Sequence, residues 1–161
     1  MVKPVKAGFH VRNNLFKYHA ACYITHAAIE CGLNLRERLP DAHKQIAEAT
    51  IRADRSCDTV CNIQSPGTGL EAKFSLRMTA AMALSGLDTA SLTSFSDTVA
   101  TDPEMMPLRD SITVELVDRP STTWSDLTLT LKDGSTLSAE YDSGIPARDV
   151  AVQGQRIRRK F

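Results

Sequence analysis

Between Lys17 and His26 the chain gathers one lysine, two histidines, a thiol and two phenols: Lys17, Tyr18, His19, Cys22, Tyr23 and His26. A lysine ammonium neutralises a carboxylate, and an imidazole or a perturbed lysine exchanges protons near neutral pH. The cluster runs into a helical pattern, and a helix N-terminus attracts anions through its unpaired N–H groups and dipole. Two readings follow, a carboxylate-binding corner with acid/base groups or an ordinary solvent-facing loop. The His and Cys spacings do not fit a zinc site, and Cys57 and Cys61 stand four apart without a second matching pair. No Gly-x-Gly-x-x-Gly or phosphate-loop pattern is present, so neither metal nor cofactor is expected. Lys73 and Ser75 open a second helical run and read as a helix-start ion pair and a backbone cap. His10 and His43 read as surface histidines, and Trp124 as core.

The elements that must position these residues follow from periodicity. Ile24, Ala28, Cys31, Leu35 and Leu39 recur at three- and four-residue steps, which predicts an amphipathic helix over Ile24–Leu39. Glu30, Asn34, Glu37 and Arg38 fall off that stripe, and Pro40 stops the helix. A second helix is predicted over Glu71–Ser85, opened by the Ser65–Gly69 loop and closed by Gly86. It is so rich in small and apolar residues that burial on several sides, including against a partner, is expected.

The C-terminal half switches to a period of two. Ile112, Val114 and Leu116 form one alternating set; Leu127, Leu129 and Leu131 a second; Leu137, Ala139 and Tyr141 a third. Each predicts a half-buried antiparallel strand. Asp133-Gly134 between the last two predicts a two-residue hairpin turn with positive φ at both positions. Pro103, Pro107 and Asp102 predict a helical turn before Ile112. Arg12–Lys17 reads as a short strand. Asp41–Arg55 reads either as helix or as a strand near Ile46–Ala53, and local pattern leaves both open. The expected fold is α+β, a two-layer sandwich of a mainly antiparallel sheet with helices on one face.

The 161 residues suit one domain, and their 42% hydrophobic content suffices for a core. Nineteen Lys and Arg balance nineteen Asp and Glu, so the electrostatic footprint of a general nucleic-acid binder is absent. The basic cluster of Arg156, Arg158, Arg159 and Lys160 reads as a solvated end. No apolar run reaches the roughly 18–20 residues that span a bilayer, and the first residues lack the pattern of a secretory signal. Four reduced cysteines in a cytoplasmic protein are expected.

The stretch Phe16–Glu30 resembles the start of the C-terminal lid domain of the MmgE/PrpD family, where a Lys-Pro-Tyr-x-Cys-Cys-x-x-x-His motif runs into a helix. Three further segments agree in type and order: Pro66–Leu76, with its Glu-Ala-Lys-Phe-Ser run, the turn at Asp133-Gly134, and Gly144-Ile145-Pro146 with the closing Lys160-Phe161. The resemblance covers about Gly8–Phe161, so residues 1–161 are expected to be one lid domain. The family includes 2-methylcitrate dehydratase, cis-aconitate decarboxylase and iminodisuccinate epimerase. It implies a cofactor-free lyase or isomerase acting on a small di- or tricarboxylate, completed by a larger helical domain that these positions do not contain. A homodimer is also implied.

On that resemblance the catalytic residues are expected at Lys17, Cys22 and His26, and the substrate-binding residues at Lys17, His19 and Ser75. Lys17 matches the family's lid lysine, and His26 the motif's closing histidine. Cys22 stands where decarboxylase members carry a histidine, which speaks against decarboxylation. His19 departs from the motif, and Met78 replaces a tyrosine common in the family. The chain by itself is expected to lack turnover. A different class of function, a stand-alone interaction module reusing the lid fold, would use the apolar helix Glu71–Ser85 as its docking face.

Overall fold

The computed structural model describes residues 13–119 and 121–160. His10, Arg12, Phe161 and the residues before them that entered the expectations above lie outside this range. Residues 14–18 form no regular element, so the described part of the expected strand at Arg12–Lys17 is irregular chain. A 3-10 turn at Tyr23–Thr25 then leads into α1, His26–Arg38. The expected stripe is the buried one: Ala28, Cys31 and Leu35 are buried, with Ile24 and Leu39 packed at its ends.

The ambiguous segment divides. A short α2, Ala42–Gln45, passes directly into β1, Ile46–Asp54. After it come α3 (Asp58–Cys61), α4 (Gly69–Ala72), α5 (Leu76–Ser85), α6 (Asp97–Ala100) and α7 (Met105–Asp110). The chain then makes β2 (Ile112–Val117), β3 (Trp124–Leu131), β4 (Thr136–Asp142) and α8 (Val150–Lys160). The sheet order is β2-β1-β3-β4. β1 runs parallel to β2 and antiparallel to β3, and β3 runs antiparallel to β4. The parallel pair requires the long crossover that carries α3 to α7. Long-range pairing selects the strand for Ile46–Asp54: Ile51 sits between Val114 and Leu127 in register and is fully buried.

The fold is α+β, with α1 and α5 on one face of a mainly antiparallel sheet. Leu127, Leu129 and Leu131 point into the helical layer. Trp124, Asp126, Thr128 and Thr130 alternate to the opposite face. Trp124 is buried as expected, at 6% exposure, but on the face opposite the cluster that α1 and α5 cover. It is covered by the Arg119 guanidinium at 4.1 Å, and its indole N–H donates to Glu140 Oε1 at 2.6 Å. Beside it, Arg52 pairs with Asp126.

Two local expectations change in detail. The β3–β4 hairpin forms, but only Gly134 has positive φ (84°); Asp133 does not. The Leu131 carbonyl accepts from the Gly134 N–H (2.9 Å), and the Leu131 N–H donates to the Ser135 carbonyl (2.8 Å). That is a type I turn closed by a glycine bulge rather than a two-residue turn. The predicted helix Glu71–Ser85 is broken between α4 and α5. Ser75 is extended (φ −120°, ψ 111°), bridges to Asn62, and caps α5 by accepting from the Met78 N–H at 3.1 Å. Helical propensity alone does not register such a bridge to a distant strand-like segment.

α5 needs no partner. Leu76, Met78, Thr79, Ala80, Ala81, Met82, Ala83 and Leu84 are all fully buried within this domain, so it offers no docking face. Its small residues let α1 approach so closely that a Cβ on Gly32 would stand 2.9 Å from the Ala83 Cβ. At the other end, Gly67, Thr68 and Glu71 close a capping box over α4. There the backbone of Gly69 passes Phe95 so tightly that a Cβ would lie 2.2 Å from the Phe95 carbonyl oxygen.

Gly69→Ala should accordingly cost about 1–3 kcal/mol, because a main-chain carbonyl cannot swing aside as a side chain can. Gly67→Ala, whose nearest neighbour would be 3.6 Å away, should stay within about 0.5 kcal/mol. Thermal melting of both variants checks this; equal melting points would contradict the packing described.

Candidate functional site

The stretch from Lys17 to Cys22 is held by two main-chain bonds. The Ala20 N–H donates to the Thr89 carbonyl (2.8 Å), and the Cys22 N–H donates to the Lys73 carbonyl (2.9 Å). Loop and helix turn are thereby clipped edge to edge. On the outer side, Lys17, His19 and Cys22 line an open depression of about 450 Å³. Lys73 and Lys160 complete its cationic wall, and Leu70, Phe74 and Leu92 its apolar rim. No Asp or Glu lines it among the described residues. Lys160 Nζ donates to the Lys17 carbonyl at 2.6 Å. Burial and the positive charge of Lys17 lower the Lys160 pKa from its ordinary value.

On the inner side lies a hydrogen-bonded chain. His19 is 4% exposed; its Nδ1 bonds the Thr89 hydroxyl (2.8 Å) and its Nε2 bonds Glu30 Oε1 (2.9 Å). Glu30 also pairs with Arg156, whose guanidinium lies 3.8 Å from the centre of the Tyr18 ring. Burial alone would raise the Glu30 pKa, but the His19 and Arg156 contacts outweigh it and hold the carboxyl below its usual value. His26 packs edge-on to His19 and tilted against Tyr23, each at 4.9 Å between ring centres. Its Nε2 and the Ser143 hydroxyl are buried without a hydrogen-bond partner among the described residues, and both residues line a small pocket of about 60 Å³.

The expected residues thus separate into three places. Lys17, His19 and Cys22 share the open depression. His26 lies behind them and does not line it, in contact with His19. Ser75 is fully buried and its hydroxyl caps α5, so its side chain is committed to the turn that presents Lys73 and Phe74. The first turn of α1 is buried from Thr25 to Ile29, and the Thr25 hydroxyl donates back to the Cys22 carbonyl (2.8 Å). The positive character of the depression therefore comes from lysines, not from the helix terminus.

Three contributors escaped the sequence reading. Lys73 makes none of the described ion pairs, contrary to the helix-start pairing expected of it; its ammonium lies 5.8 Å from the Phe95 ring centre. Arg156 is not a solvated end but half of a partly buried ion pair. Glu30, off the apolar stripe, is its other half; its position one helical turn after His26 was the available signal. Among the described residues no three His, Cys, Asp or Glu side chains group as a metal ion would require. Among those residues, too, no helix is long and apolar enough to cross a membrane.

Two outcomes follow. Cys31, Cys57 and Cys61 are buried and Cys22 is half-buried at the depression, so one thiol per folded chain should react promptly with an aromatic disulfide reagent. Cys22→Ser should abolish that fast phase. Burial, together with the positive charges of His19 and Lys17, lowers the His26 pKa to about 3. The unfolded chain therefore binds an extra proton between that value and the ordinary 6.5. His26's contribution to stability is complete above 6.5 and drains as pH falls towards about 3, by up to about 1.4 kcal/mol per pH unit. Denaturant unfolding from pH 6.5 to 5 should show this slope, and His26→Gln should flatten it.

A family model of the MmgE/PrpD C-terminal domain matches residues 19–161, a stretch that begins just after Lys17. No curated protein matches the chain. Because the family match takes in most of the sequence, from the buried His19 to the last residue of the chain, this chain belongs to the MmgE/PrpD family, as its C-terminal domain.

Proposed function

We propose that this domain is the carboxylate-binding half of the active site of a cofactor-free lyase or isomerase acting on small di- or tricarboxylates. The observation that carries the reading is the open depression lined by Lys17, His19 and Cys22, with no acidic side chain in its wall among the described residues. An anion entering it meets positive charge with no internal carboxylate to displace. The exposed apolar rim of Leu70, Phe74 and Leu92 suits closure against a second, helical domain on the same or another polypeptide.

Chemistry beside a carboxylate begins with loss of a proton from the neighbouring carbon, which sends negative charge onto the carboxylate oxygens. Lys17 neutralises that charge as it develops, where it accelerates the step most. The Cys22 thiol stands at the same wall as a proton-exchanging group. His26 is a positioning residue in this scheme. Neutral and packed against His19, it orients the ring that anchors the loop and does not itself meet the substrate. Ser75 contributes through the turn it caps. The remaining acid/base groups come from the helical domain, in a cytoplasmic enzyme of lyase or isomerase type that works as a dimer.

The chain alone should show no elimination, decarboxylation or epimerisation on di- and tricarboxylates. Lys17→Ala should reduce tricarboxylate binding by about tenfold or more, the loss of one charge-assisted contact. Product analysis and titration calorimetry check both. Robust turnover by the isolated chain, or unchanged binding in Lys17→Ala, would overturn the proposal.

A further inference from the structure

Two polar atoms behind the Lys17 loop share one small space. His26 is 2% exposed and Ser143 9%, and neither His26 Nε2 nor the Ser143 hydroxyl has a hydrogen-bond partner among the described residues. Buried polar groups are nearly always paired, because an unpaired one forfeits its bonds to water without replacement. Both residues line the pocket of about 60 Å³. A water molecule fills ~30 Å³ in the liquid, so this space suits one or two of them.

Both side chains are held where they are. The His26 ring is wedged against His19 and Tyr23. Ser143 is fixed through its main chain: its N–H donates to the Thr123 carbonyl at 3.0 Å, and its carbonyl accepts from the Tyr23 hydroxyl. An uncharged occupant fits best. Glu30 and Arg156 also line the pocket, but they pair with each other and leave an ion no net counter-charge. The occupant must also suit either hydrogen-bonding role. A neutral imidazole presents Nε2 as donor or acceptor according to its tautomer, and a serine hydroxyl can do both. Water meets each requirement.

We infer that this pocket is a binding site for a buried water molecule that bridges His26 Nε2 and the Ser143 hydroxyl, joining α1 to the chain just after β4. The bridge runs alongside the Tyr23–Ser143 bond and gives His26 an anchor besides its ring contacts. It is independent of what the depression binds.

Oxygen-17 relaxation dispersion on the whole chain counts its long-lived water molecules. Wild type should show at least one. Ser143→Val, which fills the space and removes the hydroxyl, should show one fewer. Should that variant fail to fold, His26→Phe keeps a ring of similar size, removes the nitrogen and should give the same loss. A crystal structure of the wild-type chain should show a solvent peak about 2.6–3.2 Å from both atoms. A wild type with no long-lived water, or an undiminished count in a folded variant, would overturn the inference. So would a crystal structure with both side chains ordered and no solvent peak between them.

Discussion

Glu30 sits on the second turn of α1 with its side chain only 13% exposed, between His19 of the preceding loop and Arg156 of the last helix. The loop before α1, α1 itself and the distant C-terminal helix meet on one carboxylate. A buried carboxylate without partners is expensive to keep ionised, and here two donors share that cost. Removing either partner leaves the other partly buried and unpaired. α8 has no buried residue of its own. It is held by Arg156 on Glu30, by the Arg156 stack on Tyr18 and by Lys160 on the Lys17 carbonyl. What fixes α8 therefore also fixes the loop whose outer side carries Lys17.

The loop has two sides with opposite characters. Inward, Glu30 pairs with Arg156 and hydrogen-bonds His19, and burial keeps His26 neutral beside His19 and Tyr23. Outward, lysines line the depression, with no acidic residue in its wall among the described residues. In a charge-balanced chain, three lysines, Lys17, Lys73 and Lys160, line one depression. Their gathering is a tertiary effect. Lys73 reaches the depression because Ser75 breaks the helical run, and Ser75 does so because the chain bridges to Asn62 there. The same break frees α5 to bury itself against α1, where Gly32 and Ala83 permit close approach.

An added methyl group has nowhere to go at Gly69, and the serine hydroxyl at position 75 is consumed by the backbone. Both residues belong to the Pro66–Leu76 stretch on which the family resemblance partly rests. Both have structural duties here: one lets the chain pass Phe95, and the other starts α5. Residues in a family motif need not touch substrate to matter to its site.

Much was legible in the sequence. The stripe of α1, the alternation of β2, β3 and β4, the glycine in the hairpin turn and the clustering of Lys17, His19 and Cys22 all arise from neighbours within a few residues. Period and turn chemistry are local properties, so they can be read locally. Tertiary structure decided the rest. Ile46–Asp54 became a central strand because two partner strands, more than sixty residues on, supplied its hydrogen bonds. Trp124 took the outer face because the register of β3 on β1 put it there. Arg156 reached Glu30 across 126 positions, and no local pattern carries information about a partner at that distance. Residue types and short spacings named the chemistry; which charges would be neutralised and which left facing solvent depended on contacts that form only when distant segments pack.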